Sequence, residues 1–262
     1  MHTVLSSFQQ ETSRLESYLK LTQKVIDFGA SSLDPQLPPH ILALKTEIRS
    51  AGLLVLQTSY NGVLLALSAA FERFITNTTS RFLDSLPGQI PTYNQIPDKI
   101  RKAHLRYTSE ALSKPPRYLT VVELDLIRNL YNCLNNNSPY ALNTEVTTIN
   151  ERNFTAKELG DYYSERLAID DFWRKLASNA DLQMWAGVNL QEQISVRARA
   201  KLDDFINDRN NISHAGSSQN IGPTILEEYI QYFDALSPAI TAVCQKHFTD
   251  ISISLANRRP AG

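Results

Sequence analysis

Hydrophobic and polar positions alternate with helical spacing along most of this chain. Leu5, Phe8, Leu15, Leu19 and Ile26, with Thr12 and Thr22 completing the series, recur in steps of three and four, which predicts an amphipathic first helix. Gly29 and the prolines at 35, 38 and 39 should stop it. A longer helix should open at Pro39, a favoured first helical position, and run to about Leu86, with a bend at Gly52 or Gly62. Its second half, Leu64-Leu67-Phe71-Phe74-Ile75, forms a core stripe bordered by Glu72 and Arg73.

The pattern breaks at Pro87, Pro91, Pro97, Pro115 and Pro116, so residues 87–118 read as an insertion made of a loop, a short helix and a second loop. Helical signals then return. Thr120–Glu123 and Thr155–Glu158 both have the form of a capping box, and Thr144–Ile149 alternates but is too short to establish a sheet. Aromatic-rich pieces around Tyr162, Tyr163, Phe172, Trp173 and Trp185 suggest further packed helix or loop. A helix from about Asn189 follows, then a terminal one opening at Pro223 and kinked at Ser237-Pro238. The expectation is one all-α domain over residues 1–262, a helical bundle carrying a proline-rich insertion.

Composition narrows the function classes. A formal net charge of -1 excludes a global polycation, so any nucleic-acid contact must come from a local basic patch. Lys99, Arg101, Lys102 and Arg106, with Lys114 and Arg117, outnumber the acids of their segment; they form either an RNA-backbone surface or an ordinary solvated helix face. The two cysteines, Cys133 and Cys244, suggest neither a zinc site nor a disulfide framework, and a reducing cytoplasm fits them. Ala51 to Phe71 carries no formal charge, but its Gln57-Thr58-Ser59-Tyr60-Asn61 centre suits a buried bundle helix better than a membrane span.

The chemistry concentrates at Arg209-Asn210-Asn211-Ile212-Ser213-His214. Leu202, Phe205, Ile206 and Arg209 share one helical face, so the guanidinium should sit at the core's edge and need a partner or a ligand. Glu72 is a candidate partner. On an unbroken helix His214 would lie about 140° around the axis from Arg209. The two converge if the helix ends near Asn210-Asn211, or if a second copy supplies the other half of a cleft. An imidazole at such a position also serves simply to cap a helix or bond a carbonyl. His2, His40, His104 and His247 are scattered and read as surface or capping residues.

The run Lys201–Gly216 resembles the signature of the HEPN superfamily, small helical bundles whose active members are ribonucleases. Arg209, Asn210 and His214 match its arginine, polar residue and histidine, and Ala69–Phe74 is similar to the long second helix of the larger bacterial RiboL-PSP-HEPN proteins. Gly216 stands where HEPN toxins paired with a nucleotidyltransferase often carry a modified tyrosine, a departure from that subtype. The resemblance implies a metal-independent endoribonuclease acting in bacterial phage defence or as a toxin. It implies no cofactor, RNA as substrate, a homodimer with a composite cleft, an antitoxin or defence-system partner, and Glu72 as supporting acid. A non-catalytic HEPN module that binds RNA or a partner protein, and a plain helical scaffold, are the alternatives.

Overall fold

A computed structural model describes residues 1–32, 34–116, 119–149, 153–215 and 221–256; the side chains of residues 53, 54, 214, 215, 255 and 256 lie outside the description. Among the described residues every regular element is helical. In chain order these are α1 (His2–Ala30), α2 (Pro39–Gln89), a 3-10 turn (Tyr93–Gln95), α3 (Asp98–Ser113), α4 (Glu123–Leu134), α5 (Thr144–Thr148), α6 (Ala156–Leu167), α7 (Phe172–Leu176), α8 (Ala180–Ala186), α9 (Gln191–Ala215) and α10 (Pro223–Ala256).

The long helices form the frame. Tyr60 bonds Gln23, and Arg73 pairs with Glu11, so α1 and α2 run antiparallel. Thr12 bonds Asp234, and His2 meets Gln245, so α10 lies antiparallel to α1. The predicted stripes are what pack: Leu64, Leu67, Phe71, Phe74 and Ile75 are each at most 2% exposed. Phe71 and Phe205 meet Phe233 at 4.6 and 4.8 Å between ring centroids, and Phe8 meets Phe74 at 4.9 Å. One aromatic cluster therefore ties α1, α2, α9 and α10 into a single core.

Helix α2 bends by 66° between Pro39–Gly52 and Val55–Gln89, at the first of the two candidate glycines. Its first arm caps α1, whose last turn has no basic residue. Lys45 bonds Ser31 and the Ser32 carbonyl, while Arg49 reaches the carbonyls of Gly29 and Ser31. α1 and this first arm meet at Gly29, where an added Cβ would stand 2.4 Å from Ile48 Cγ2. Among the described residues no single helix is long and apolar enough to cross a membrane.

Between the long helices, α3 to α6 make a lateral layer. Pro87 lies inside α2, and the short helix expected within 87–118 is the 16-residue α3, which buries Ile100, Ala103, His104, Thr108 and Ala111. Arg117 falls outside the described residues. The Thr155–Glu158 capping box forms as written. Its counterpart does not: the Glu145 carboxylate takes both the Thr120 amide, at 2.7 Å, and its hydroxyl, at 2.8 Å. Glu123 consequently becomes the first residue of α4, without a side-chain cap. Of the alternating stretch at 144–149, Thr144–Thr148 are helical, with the Thr147 hydroxyl bonded back to the Asn143 carbonyl.

His104 corrects its expected surface position. It is 1% exposed, accepts the Asn143 backbone N–H on Nε2 at 3.0 Å and meets the Tyr93 hydroxyl at Nδ1, also at 3.0 Å. Because a backbone N–H only donates, the ring proton sits on Nδ1, and the Tyr93 hydroxyl passes its own to the Arg101 carbonyl. Burial holds this imidazole neutral, with its pKa down at about 4.

Candidate functional site

Helix α9 buries Ile194, Ala198, Leu202, Phe205 and Ile206, and Arg209 is the next position on that face. Its side chain is half-buried, as the spacing requires. Nη1 donates to Asn210 Oδ1 at 3.3 Å, and Nε is sealed from solvent without an acceptor among the described residues. The neighbouring acids are engaged elsewhere. Asp208 accepts the Tyr229 hydroxyl at 2.6 Å, Asp203 accepts the Ala156 N–H at 2.7 Å, and Lys201 takes Glu228 at 2.6 Å. Burial and the Asp208 carboxylate push the Tyr229 phenol upward, so it remains a donor.

Glu72 does not pair with Arg209. It is half-buried and its Oε1 accepts from the Ser68 hydroxyl at 3.5 Å. Among the described residues no carboxylate oxygen lies within 4.0 Å of the Arg209 guanidinium. Among the described residues the half-buried Arg209 guanidinium therefore has no counter-ion.

Of the two ways to bring Arg209 and His214 together, a helix end at Asn210-Asn211 is not the one found. α9 continues to Ala215, and neither asparagine takes the left-handed conformation. Ile212 packs on the core, and the Ser213 hydroxyl bonds the Arg209 carbonyl at 3.0 Å, which holds the last turn helical. The backbone positions of Arg209 and His214 are therefore about 140° apart around the axis and about 7.5 Å along it. The His214 side chain lies outside the described residues.

Asn153, which the sequence patterns did not single out, completes the constellation. Its Nδ2 donates to Asn210 Oδ1 at 2.8 Å. No local rule links a residue ahead of a capping box to a helix-end asparagine 57 positions later.

The four basic residues of α3 are not brought to this cluster by any hydrogen bond or ion pair among the described residues. Lys99 pairs with Asp170 at 2.5 Å, and Arg101 and Lys102 pair with Asp98 at 3.3 and 2.7 Å. Arg106 pairs with Glu110 at 2.9 Å and approaches Glu165 at 3.8 Å. All are surface pairs that solvent screens. A cleft of about 890 Å³ lies between α3 and α6 over Tyr107, Tyr162 and Arg166, and Arg209 and Asn210 are not in its walls.

No curated protein and no solved structure matches the chain. The RiboL-PSP-HEPN family does match, over residues 40–245. That span takes in every helix from α3 to α9, nearly all of α2 and the larger part of α10, and with them Arg209, Asn210 and His214. By this continuous match and its all-helical fold, the chain belongs to the RiboL-PSP-HEPN family of the HEPN superfamily.

Proposed function

We propose that the protein is a metal-independent endoribonuclease whose active groups are Arg209, Asn210 and His214. Family membership points to RNA-related, ribonuclease-like chemistry. The observation that carries the finer reading is Arg209: a half-buried guanidinium with an unpartnered Nε and no carboxylate within ion-pair distance among the described residues. Such a group suits a phosphodiester anion, whose oxygens it can grip in a planar fork.

RNA brings its own nucleophile, the 2′-hydroxyl. His214, whose residue type titrates near neutrality, takes that proton as the 2′-oxygen attacks phosphorus. Arg209 stabilises the charge growing on the non-bridging oxygens. The bond to the 5′-oxygen then breaks, and a protonated imidazole returns a proton to the leaving alkoxide. The products are a 2′,3′-cyclic phosphate and a 5′-hydroxyl.

A helix unbroken through Ala215 separates Arg209 from the His214 position by about 140°. This supports a homodimer in which facing motifs share one cleft. Phage defence or toxin action in the cytoplasm, held in check by an antitoxin or defence-system partner, is the setting this chemistry suits. The test incubates wild type, Arg209→Ala and His214→Ala with total RNA in excess EDTA and identifies the fragment ends. Cleavage with cyclic phosphate ends, lost in both variants while the helical signal persists, is the expected result. RNA retained without cleavage would select a non-catalytic binding module instead.

A further inference from the structure

The Asn210 side chain has one oxygen and one NH₂, and which faces Arg209 decides what the site offers a substrate. Two donors converge on its Oδ1: Arg209 Nη1 at 3.3 Å and Asn153 Nδ2 at 2.8 Å. The contact with the guanidinium is long, whereas the one with Asn153 is short and well formed. With Oδ1 held by both, the Asn210 NH₂ turns away from these two donors and has no partner among the described residues.

Asn153 is itself on a fastened support. Phe154 is 2% exposed and packs edge-on against Tyr162 at 5.1 Å. Thr155 and Glu158 close their capping box. The Ala156 N–H bonds Asp203 Oδ1 at 2.7 Å, and its carbonyl receives Trp173 Nε1 at 2.8 Å. Asp203 and Asn210 are two turns apart on α9 and share a face. The 153–156 segment therefore lies along α9 with one anchor at each end.

We infer that Asn153 is a positioning residue of the α9 site: it fixes the amide orientation of Asn210 and, through it, the Arg209 guanidinium. This rests on the ribonuclease reading above. It differs from a packing role because its effect must pass through Asn210.

The test is a double-mutant cycle on the full chain, measuring kcat and KM on a single-stranded RNA together with thermal midpoints. Asn153→Ala is expected to lower kcat/KM about 5-fold, the scale of one neutral amide–amide hydrogen bond. In an Asn210→Ala background the same change should do almost nothing. Asn153→Asp keeps the shape, cannot donate, and sets an anion beside Arg209, so it should fall below Asn153→Ala. Should the alanine variant be unstable, Asn153→Ser repeats the cycle. Equal losses in both backgrounds, no loss, or losses that track the thermal midpoint would overturn the inference while the ribonuclease reading stands. A wild type that cleaves no RNA is the separate outcome that removes the reading and the inference together.

Discussion

Arg166 and Arg209 are the same residue type in two interiors of one bundle, and their surroundings treat them oppositely. Arg166 is 7% exposed and bonded on two nitrogens: Nε bonds the Thr147 carbonyl at 2.8 Å and Nη2 the Ile149 carbonyl at 3.0 Å. The rings of Tyr107 and Tyr162 cover it at 4.3 and 4.1 Å. Among the described residues Arg209 has one long side-chain contact and a sealed Nε without an acceptor. The first guanidinium is tied into the fold; the second is the one that the proposed function assigns to a phosphate. Burial alone does not distinguish these two arginines, whereas their hydrogen-bond partners do.

The largest contrast should appear when each arginine is removed. Arg209→Ala is expected to cut RNA cleavage by about two to three orders of magnitude, the usual scale for a group that stabilises transition-state charge, with little change in thermal midpoint. Arg166→Met should do the reverse. Losing two charge-assisted bonds and leaving two buried carbonyls bare costs about 3 kcal/mol, a drop of several degrees by calorimetry, with the folded fraction still active. Swapped outcomes would break the comparison.

Acid sharpens it next. His104 has its pKa lowered to about 4 from 6.5 by burial, so below pH 6.5 the unfolded chain binds a proton that the folded chain refuses. Its contribution is complete above about pH 6.5 and is lost as pH falls toward 4, by about 1.4 kcal/mol per pH unit. The His247 pKa is shifted the same way, chiefly by burial, and adds to the slope. Thermal midpoints between pH 7 and 4.5 should fall steeply in the wild type and less steeply in His104→Gln.

Smaller effects separate the two look-alike capping sequences. Thr155→Ala removes a formed box and should cost about 1 kcal/mol. Glu123→Ala should cost about 0.5 kcal/mol or less, since that carboxylate caps nothing. Matched losses in denaturant titrations would contradict the difference. Smallest of all, Cys133 and Cys244 are buried and free, their thiols pushed up to about 12 by desolvation. A thiol reagent at pH 8 should label neither until denaturant is added.

The long periodic segments were legible in the sequence because each stripe's partner is another stripe, and spacing alone reports the buried face. The arginine at the core's edge was legible for the same reason: it occupies the position where that face continues past Ile206. What escaped was set by residues distant in the chain. Thr120 lost its box to Glu145, and α9, for which an end at Asn210-Asn211 was one alternative, runs on to Ala215 with Ile212 on the core. His104 was drawn inward by Tyr93 and Asn143, and Asn153 met Asn210 only through the folding of α6 onto α9. Polar partnerships of this kind have no period to read.

The end of α1 shows what such borrowed contacts entail. Its closing carbonyls are answered by Lys45 and Arg49, and its approach to Ile48 relies on Gly29 having no side chain. The two segments consequently lose protection against hydrogen exchange as one cooperative unit. A methyl group at residue 29 would act as a wedge, releasing both at once and leaving the aromatic centre of the bundle intact.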